Sequence, residues 1–377
     1  MGDFFKGHGV TMKDTCVTGV PCTMYGDIYV KYGITFEQVD YFLPAEKAEK
    51  AFKGQYGDLL FTASGETAEE IGKCAGYFGN NEICIGGDII VLRPYECYDS
   101  LFLSYLCNSP ECIRQKAAMG QGDAVVHIKT DNIQNISLSL PESKEEQKRI
   151  ASALSSIDIQ IATTKKLLAK YESIKKATVK KLMMPKAGWK DTTIEKIADV
   201  VTGATPSTAV PEYWNNATIP WMSSGEINKR FISSTENYIS QFGYDSSSTH
   251  LIRPNSVLVA LAGQGTTRGK VAINRIELCT NQSLAAITPF RPEDYGYIFW
   301  NLDSRYTELR SISTGDGGRG GLNLHLIKTL PIQLPDEQER DEISRQLFSM
   351  SKVEDELHSS LTKLNCLKQS MLQYFFG

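Results

Sequence analysis

At 377 residues, with 41% hydrophobic and 22% charged side chains, the chain has the size and composition of a soluble protein with two domains, each able to bury its own core. No apolar run reaches the length of a membrane span, and Met1-Gly2-Asp3-Phe4 lacks the basic-then-apolar order of a signal peptide. Nine cysteines without a CxxC pair or histidines at ligand spacing read as reduced thiols of a cytoplasmic protein, with zinc the alternative, and a net charge of -4 argues mildly against nucleic acid unless basic residues are concentrated somewhere.

Residues 1–143 alternate short apolar runs with glycine and polar turns. Strands are expected at Gly57 to Phe61 and Ile83 to Leu92, a polar loop at Ala63 to Glu70, and a helix at Asp99 to Leu106. The domain closes with Ile133, Ile136, Leu138, Leu140 and Pro141. After a charged turn, residues 144–187 carry a heptad-like seam of Ile150, Leu154, Ile157, Ile161, Leu168, Tyr171, Ile174, Thr178 and Leu182, uninterrupted by glycine or proline until Pro185. The basic concentration lies here: Lys165, Lys166, Lys170, Lys175, Lys176, Lys180, Lys181, Lys186 and Lys190 face one acid, Glu172, a net charge of about +8 that would attract a phosphate backbone or an acidic partner.

Residues 188–335 repeat the mixed pattern, with strands at Val257 to Ala262 and Leu284 to Ile287 and a helix at Tyr295 to Leu309. Polar loops run over Gly203 to Ser207, Ala262 to Arg268 and Ser313 to Gly321. Ile327, Leu330, Ile332, Leu334 and Pro335 close this domain. Residues 336–377 carry a second seam: Ile343, Leu347, Met350, Val353, Leu357, Leu361, Leu364, Leu367 and Met371. Each helix of about 35 residues spans roughly 50 Å and needs a partner for its stripe.

The two closing strands superpose at an offset of 194 and the two seams at 193; upstream, Gly57 to Phe61 faces Asn255 to Val259, and Gly72-Lys73 faces Gly269-Lys270. The ordered series of strand, Leu-Pro, acidic turn and helix indicates an internal duplication. The chain therefore reads as α+β, with two globular mixed α/β domains joined by a pair of long antiparallel coiled-coil helices. Antiparallel pairing sets Asp341, Glu342, Glu354, Asp355 and Glu356 against the basic end of the first helix and neutralises part of it. Parallel dimerisation between chains is the alternative.

Enzyme motifs fail on inspection. In Gly263 to Lys270 the glycine spacing is one residue short of a phosphate loop, and Val271 stands where a Ser or Thr must hold magnesium. There is no dinucleotide fingerprint, no Asn/Asp-Pro-Pro-aromatic signature and no carboxylate pair suited to two metals, and His8, His127, His250, His325 and His358 are dispersed.

Thr202-Gly203-Ala204-Thr205-Pro206-Ser207, then Tyr213-Trp214 and Ile219-Pro220-Trp221, resembles the opening of many target recognition domains in specificity subunits of type I restriction-modification systems. Gly19-Val20-Pro21-Cys22, with Tyr25-Gly26-Asp27-Ile28-Tyr29 after Lys6 to Val10, resembles another common version. Each Leu-Pro with its charged turn, Gln147 or Gln338, and long helix resembles the family's conserved spacers. The resemblance covers nearly the whole chain. It implies target recognition domains at 1–143 and 188–335 and spacer helices at 144–187 and 336–377. Each domain would read half of a bipartite, gapped site in double-stranded DNA, and the helices would hold two major-groove readers about one turn, roughly 34–36 Å, apart.

On this resemblance the chain has no catalysis, metal or cofactor of its own. It would dock two methyltransferase (M) subunits that flip an adenine and use S-adenosylmethionine, joined by restriction (R) subunits using ATP and Mg. The expected DNA contacts are Lys6, His8, Lys31, Ser64 and Lys73 in the first domain, and Ser207, Ser223, Asn228, Lys229, Gln264, Thr266, Arg268 and Arg319 in the second. The first domain departs from the pattern: residue 1 aligns near 199, so the lead-in Gly188 to Ala198 has no counterpart, and a truncated N-terminus or a strand supplied by another end is expected. A coiled-coil scaffold without DNA and a self-contained methyltransferase are the competing readings.

Overall fold

The computed structural model describes residues 1–122, 125–263, 265–312 and 322–376, which divide into two units: Met1–Lys166 with Ser359–Gly377, and Leu167–His358. The boundaries fall inside the two long helices, Lys144–Leu182 and Glu337–Phe376, so each unit contains part of both.

In the first unit the strands are β1 (Gly2–Lys6), β2 (Val20–Thr23), β3 (Thr35–Phe36), β4 (Tyr41–Leu43), β5 (Phe52–Gly54), β6 (Leu59–Thr62), β7 (Ser64–Gly65), β8 (Cys74–Tyr77), β9 (Ile83–Ile85), β10 (Ile89–Pro94) and β11 (Val126–His127). They form sheets in the orders β1-β10-β6-β8-β3, β4-β2-β9-β5 and β7-β11. Strand β6 is buried on both faces, which is why Leu59, Leu60 and Phe61 read as a continuous apolar run rather than an alternating one. The stretch Ile83 to Leu92, expected as one strand, is two. Gly86, Gly87 and Asp88 turn the chain between them, with Asp88 at φ +59°.

The second unit has β12 (Lys190–Thr193), β13 (Ala198–Thr202), β14 (Ile219–Met222), β15 (Phe231–Ile232), β16 (Asn237–Ile239), β17 (Val257–Ala260), β18 (Val271–Asn274), β19 (Cys279–Thr280), β20 (Leu284–Pro289) and β21 (Pro331–Leu334). Its sheets run β13-β20-β17-β18-β15, β16-β14-β19 and β12-β21. The five-stranded order is that of the first unit, and so are the orientations: β3 pairs parallel with β8 as β15 does with β18, and β2 with β9 as β14 does with β19. The duplication is therefore one of topology as well as sequence. Strand β1 is the topological counterpart of β13, while β12 has none among the described residues of the first unit, where residues 137–140 lie outside any sheet. The expected helix Tyr295 to Leu309 breaks at Arg305 into Tyr295–Ser304 and Tyr306–Ile312.

The long helices run antiparallel within each unit. Asp158 meets Lys368 at 2.6 Å in the first; in the second, Lys175 bonds Glu354 and Lys186 bonds Glu339. In the first unit Ile150, Leu154, Ile157 and Ile161 are buried and Leu361 and Leu364 are half-buried; in the second, Leu168, Ile343 and Leu347 are buried and Tyr171, Met350 and Leu357 half-buried. Ile174, Val353 and Leu367, assigned to the stripe from spacing, are 47%, 37% and 50% exposed. Their neighbours Lys175 and Lys368 turn inward instead, as expected when a 3.6-residue helix drifts against a 3.5-residue pattern.

Both helices start against the Leu-Pro turn through a buried polar residue at equivalent positions. Gln147 Nε2 donates to Pro141 O at 2.8 Å, and its Oε1 accepts from the Asp99 N–H at 3.0 Å. Arg340, 193 residues on, donates through Nη1 to Pro335 O at 2.8 Å and through Nε to Asp294 Oδ1 at 2.8 Å. Asp99 and Asp294 each precede the helix that packs there, Ser100–Leu106 or Tyr295–Ser304.

Candidate nucleic-acid interface

In the first unit the loop after β6 is held by a hydroxyl cluster. Tyr29 Oη lies 2.7 Å from Thr62 Oγ1 and donates to Ser64 O at 3.1 Å, and a Cβ at Gly65 would sit 2.6 Å from that phenol oxygen, so a larger residue there would push Tyr29 out of the cluster. Ser64 is buried, and its Oγ lies 2.9 Å from Nδ1 of the exposed His127 across the β7-β11 pair. Lys73 Nζ donates to Tyr29 O at 3.0 Å, and burial lowers its pKa from the usual lysine range. Tyr29 thus brings Ser64 and Lys73 together.

The remaining residues expected in this domain fall elsewhere. Lys6, the last residue of β1, and His8, just beyond it, are exposed and linked by a 3.2 Å contact of His8 Nδ1 with Lys6 O. Lys31 pairs with Asp40 at 2.8 Å and Asp27 at 3.1 Å and lies over the Tyr41 ring; these carboxylates raise its pKa and take up its charge inside the domain.

In the second unit the segment Thr202 to Ser207 is laid down by two indoles. Trp221 Nε1 donates to Ala204 O at 3.0 Å and Trp214 Nε1 to Ser207 O at 3.2 Å, with the two rings edge to face at 5.2 Å. Gly203 passes so close to β19 that a Cβ would stand 1.8 Å from Thr280 O. Ser207 is exposed at the end of this segment. Ser223 caps a 3-10 helix through Glu226, and Lys229 pairs with Glu226 at 2.7 Å and Glu236 at 3.1 Å, which raises its pKa. Asn228 and Thr266 line one cavity of about 390 Å³ with Lys270, whose Nζ donates to Asn228 Oδ1 at 2.6 Å. Tyr306 donates to Thr266 O at 2.9 Å, and Arg310 donates to Gly265 O and Arg268 O, fixing the loop that carries Arg268. Gln264 and Arg319 lie outside the described residues.

Several polar residues at these loops are absent from the sequence expectation: Tyr29, His127, Lys270, Tyr306 and Arg310. For Lys270 the signal was present, because the duplication sets Gly269-Lys270 opposite Gly72-Lys73. For the others, partners lie 33 to 63 residues apart, and only folding joins them.

Among the described residues, Glu172, Glu354 and His358 place three potential metal-ligand atoms within 4.8 Å of one another. Lys175 already bonds Glu354, and the other two side chains are about half exposed, so no cage closes around them. No helix among the described residues is long and apolar enough to cross a membrane.

A family model described as "Type I restriction modification DNA specificity domain" matches residues 22–173 and 186–369. The type I restriction enzyme EcoR124I/EcoR124II specificity subunit of Escherichia coli is 26% identical over 191 residues, 50% of this chain and 46% of that protein. The MjaIX specificity subunit of Methanocaldococcus jannaschii is 26% identical over 195 residues, 50% of this chain and 43% of that protein. The chain spans about half the length of these curated relatives. The crystal structure of a type I restriction-modification S subunit from M. genitalium superposes on 100% of this chain and 93% of its own, with TM-score 0.65 and 13% identity, a likeness of fold.

Proposed function

The chain belongs to the type I restriction modification DNA specificity domain family, and from that premise we propose that it reads a two-part sequence in double-stranded DNA, one part with each unit, and presents that site to methyltransferase subunits. The observation that carries the proposal is the duplication: two units share a five-stranded order and strand orientations, while the loops at β7-β11 and around Asn228 and Thr266 carry different side chains. Two readers of unlike half-sites require a common scaffold and divergent polar loops, since hydroxyls, amides and cations are the groups that pair with base edges and phosphates.

In this role the chain contributes recognition and positioning, not chemistry. The methyl donor S-adenosylmethionine belongs to the methyltransferase partners, and ATP with Mg to restriction subunits that complete the assembly. Charge-paired Lys31 and Lys229 serve the domains' own structure first; Lys73, Lys270, Asn228, Thr266 and Ser64 with His127 are the stronger contact candidates.

The test is selection from a randomised duplex pool by this chain with its methyltransferase partner, read by gel shift and protection. The expected product is a two-part motif with a fixed gap, bound with a steep salt dependence. Lys73→Ala should weaken preference at one half only, and Lys270→Ala at the other. Binding without sequence preference, or both variants blurring both halves alike, sinks the proposal.

A further inference from the structure

A cavity of about 880 Å³ lies in the second unit, between the face of the first long helix at residues 172–183 and the helix Tyr295–Ser304. That volume is within the range of small-molecule sites. Two residues of its lining carry a buried donor that meets no acceptor among the described residues: Trp300, 1% exposed, at its indole Nε1, and Arg230 at its guanidinium Nε. Trp189, Trp214 and Trp221 all donate their indole N–H to an oxygen, so Trp300 is the exception among the four tryptophans. A buried N–H without an acceptor is uncommon enough to demand an explanation.

The charges around the cavity sharpen the question. Arg230 is paired with Asp303 at 2.7 Å, and Lys175 bonds Glu354 and Ser351. Glu172 faces His358 at 3.7 Å. Lys176 and Lys180 are exposed on the cavity wall with no ion partner among the described residues. Val179 and Met183 add an apolar surface. Arg230 is also held at φ +62°, unusual for a side chain with a Cβ, with its guanidinium 4.9 Å from the Trp300 ring centre and 5.1 Å from that of Phe299.

We propose that this cavity is a binding site for a small organic anion, a carboxylate or phosphate on an apolar body, whose oxygens accept from Trp300 and Arg230 and are neutralised by Lys176 and Lys180. Such a ligand supplies the missing acceptor, the missing negative charge and an apolar surface together. The site shares Arg230 and Asp303 with the smaller cavity of Asn228, Thr266 and Lys270, but its lining contains none of the residues assigned to DNA contact.

The four indole N–H groups make the test direct. In the full chain labelled with ¹⁵N-tryptophan, Trp300→Phe identifies the Trp300 signal. Phenyl phosphate and benzoate are then titrated, with benzyl alcohol as the neutral control. The expected result is a saturable downfield shift of the Trp300 signal with either anion, none with benzyl alcohol, and affinity weakened about fivefold or more by Lys176→Ala with Lys180→Ala. If Trp300→Phe fails to fold, the signal displaced by anions in the parent and not in the double lysine variant identifies it. No saturable shift with either anion, an equal shift with benzyl alcohol, or a shift indifferent to both lysines overturns the proposal.

Discussion

Gln147 and Arg340 show how two copies of one design diverge at a single side chain. Each is buried where a long helix begins, each donates to the carbonyl of the preceding Leu-Pro proline, and each reaches the aspartate before a packed helix. The neutral amide meets the Asp99 backbone N–H. The guanidinium meets the Asp294 carboxylate within a cluster where Arg291 also bonds Asp294 and Asp341. Gln147→Ala should leave the Asp99 N–H and the Pro141 carbonyl unpaired and cost about 2 kcal/mol, read as a lower denaturant midpoint. An unchanged midpoint would show that solvent satisfies both groups. The sequence made the helix start legible through Leu-Pro and the charged turn, but not this anchor, because glutamine and arginine do not look equivalent until their partners are seen.

At the scale of elements, hydrophobic period made the long helices legible, together with their antiparallel sense from charge. The short strands were legible where burial on both faces gives a continuous run, as in β6 and β17, and blurred where glycines interrupt, as between β9 and β10. Where the stripe drifts, the seam becomes polar: Lys175 is buried, bonded to Ser351 and Glu354, with its ammonium 5.3 Å from the Trp300 ring centre. Removing only its counter-ion should be worse than removing the pair. Glu354→Leu is expected to destabilise by about 3 kcal/mol, and Lys175→Met with Glu354→Leu to recover most of that loss in a thermal or denaturant melt. If the double variant is as unstable as the single one, the ion pair is not what that part of the seam depends on.

For the whole molecule, the duplication was legible because spacing survives divergence, whereas the contact loops were not. Ser64 with His127, and Thr266 with Tyr306, are joined by strand pairing and side-chain bonds across stretches with no common period. Nor does sequence alone show that the first unit includes the end of the chain. Phe376 is 8% exposed, packs edge to face on Phe102 at 5.5 Å, and shares a core with Met371, Leu154 and Ile150, while Lys368 bonds Asp158. Truncation after His358 should therefore loosen residues 1–166 more than residues 167–358. Hydrogen exchange mapped along the chain would check this, and equal loosening of both would refute it.

That composition of the first unit has a consequence in time. A ribosome releases the chain from its beginning, so the first unit's strands emerge early while the helix that completes their core is made only after the second unit. The 192 intervening residues, 167–358, take roughly 10–40 s to synthesise at bacterial-type elongation rates. Through that interval the faces of Phe102, Ile150 and Leu154 destined for Met371 and Phe376 stay uncovered, and the nascent first unit is the part of the molecule in greatest need of protection while the second is being made.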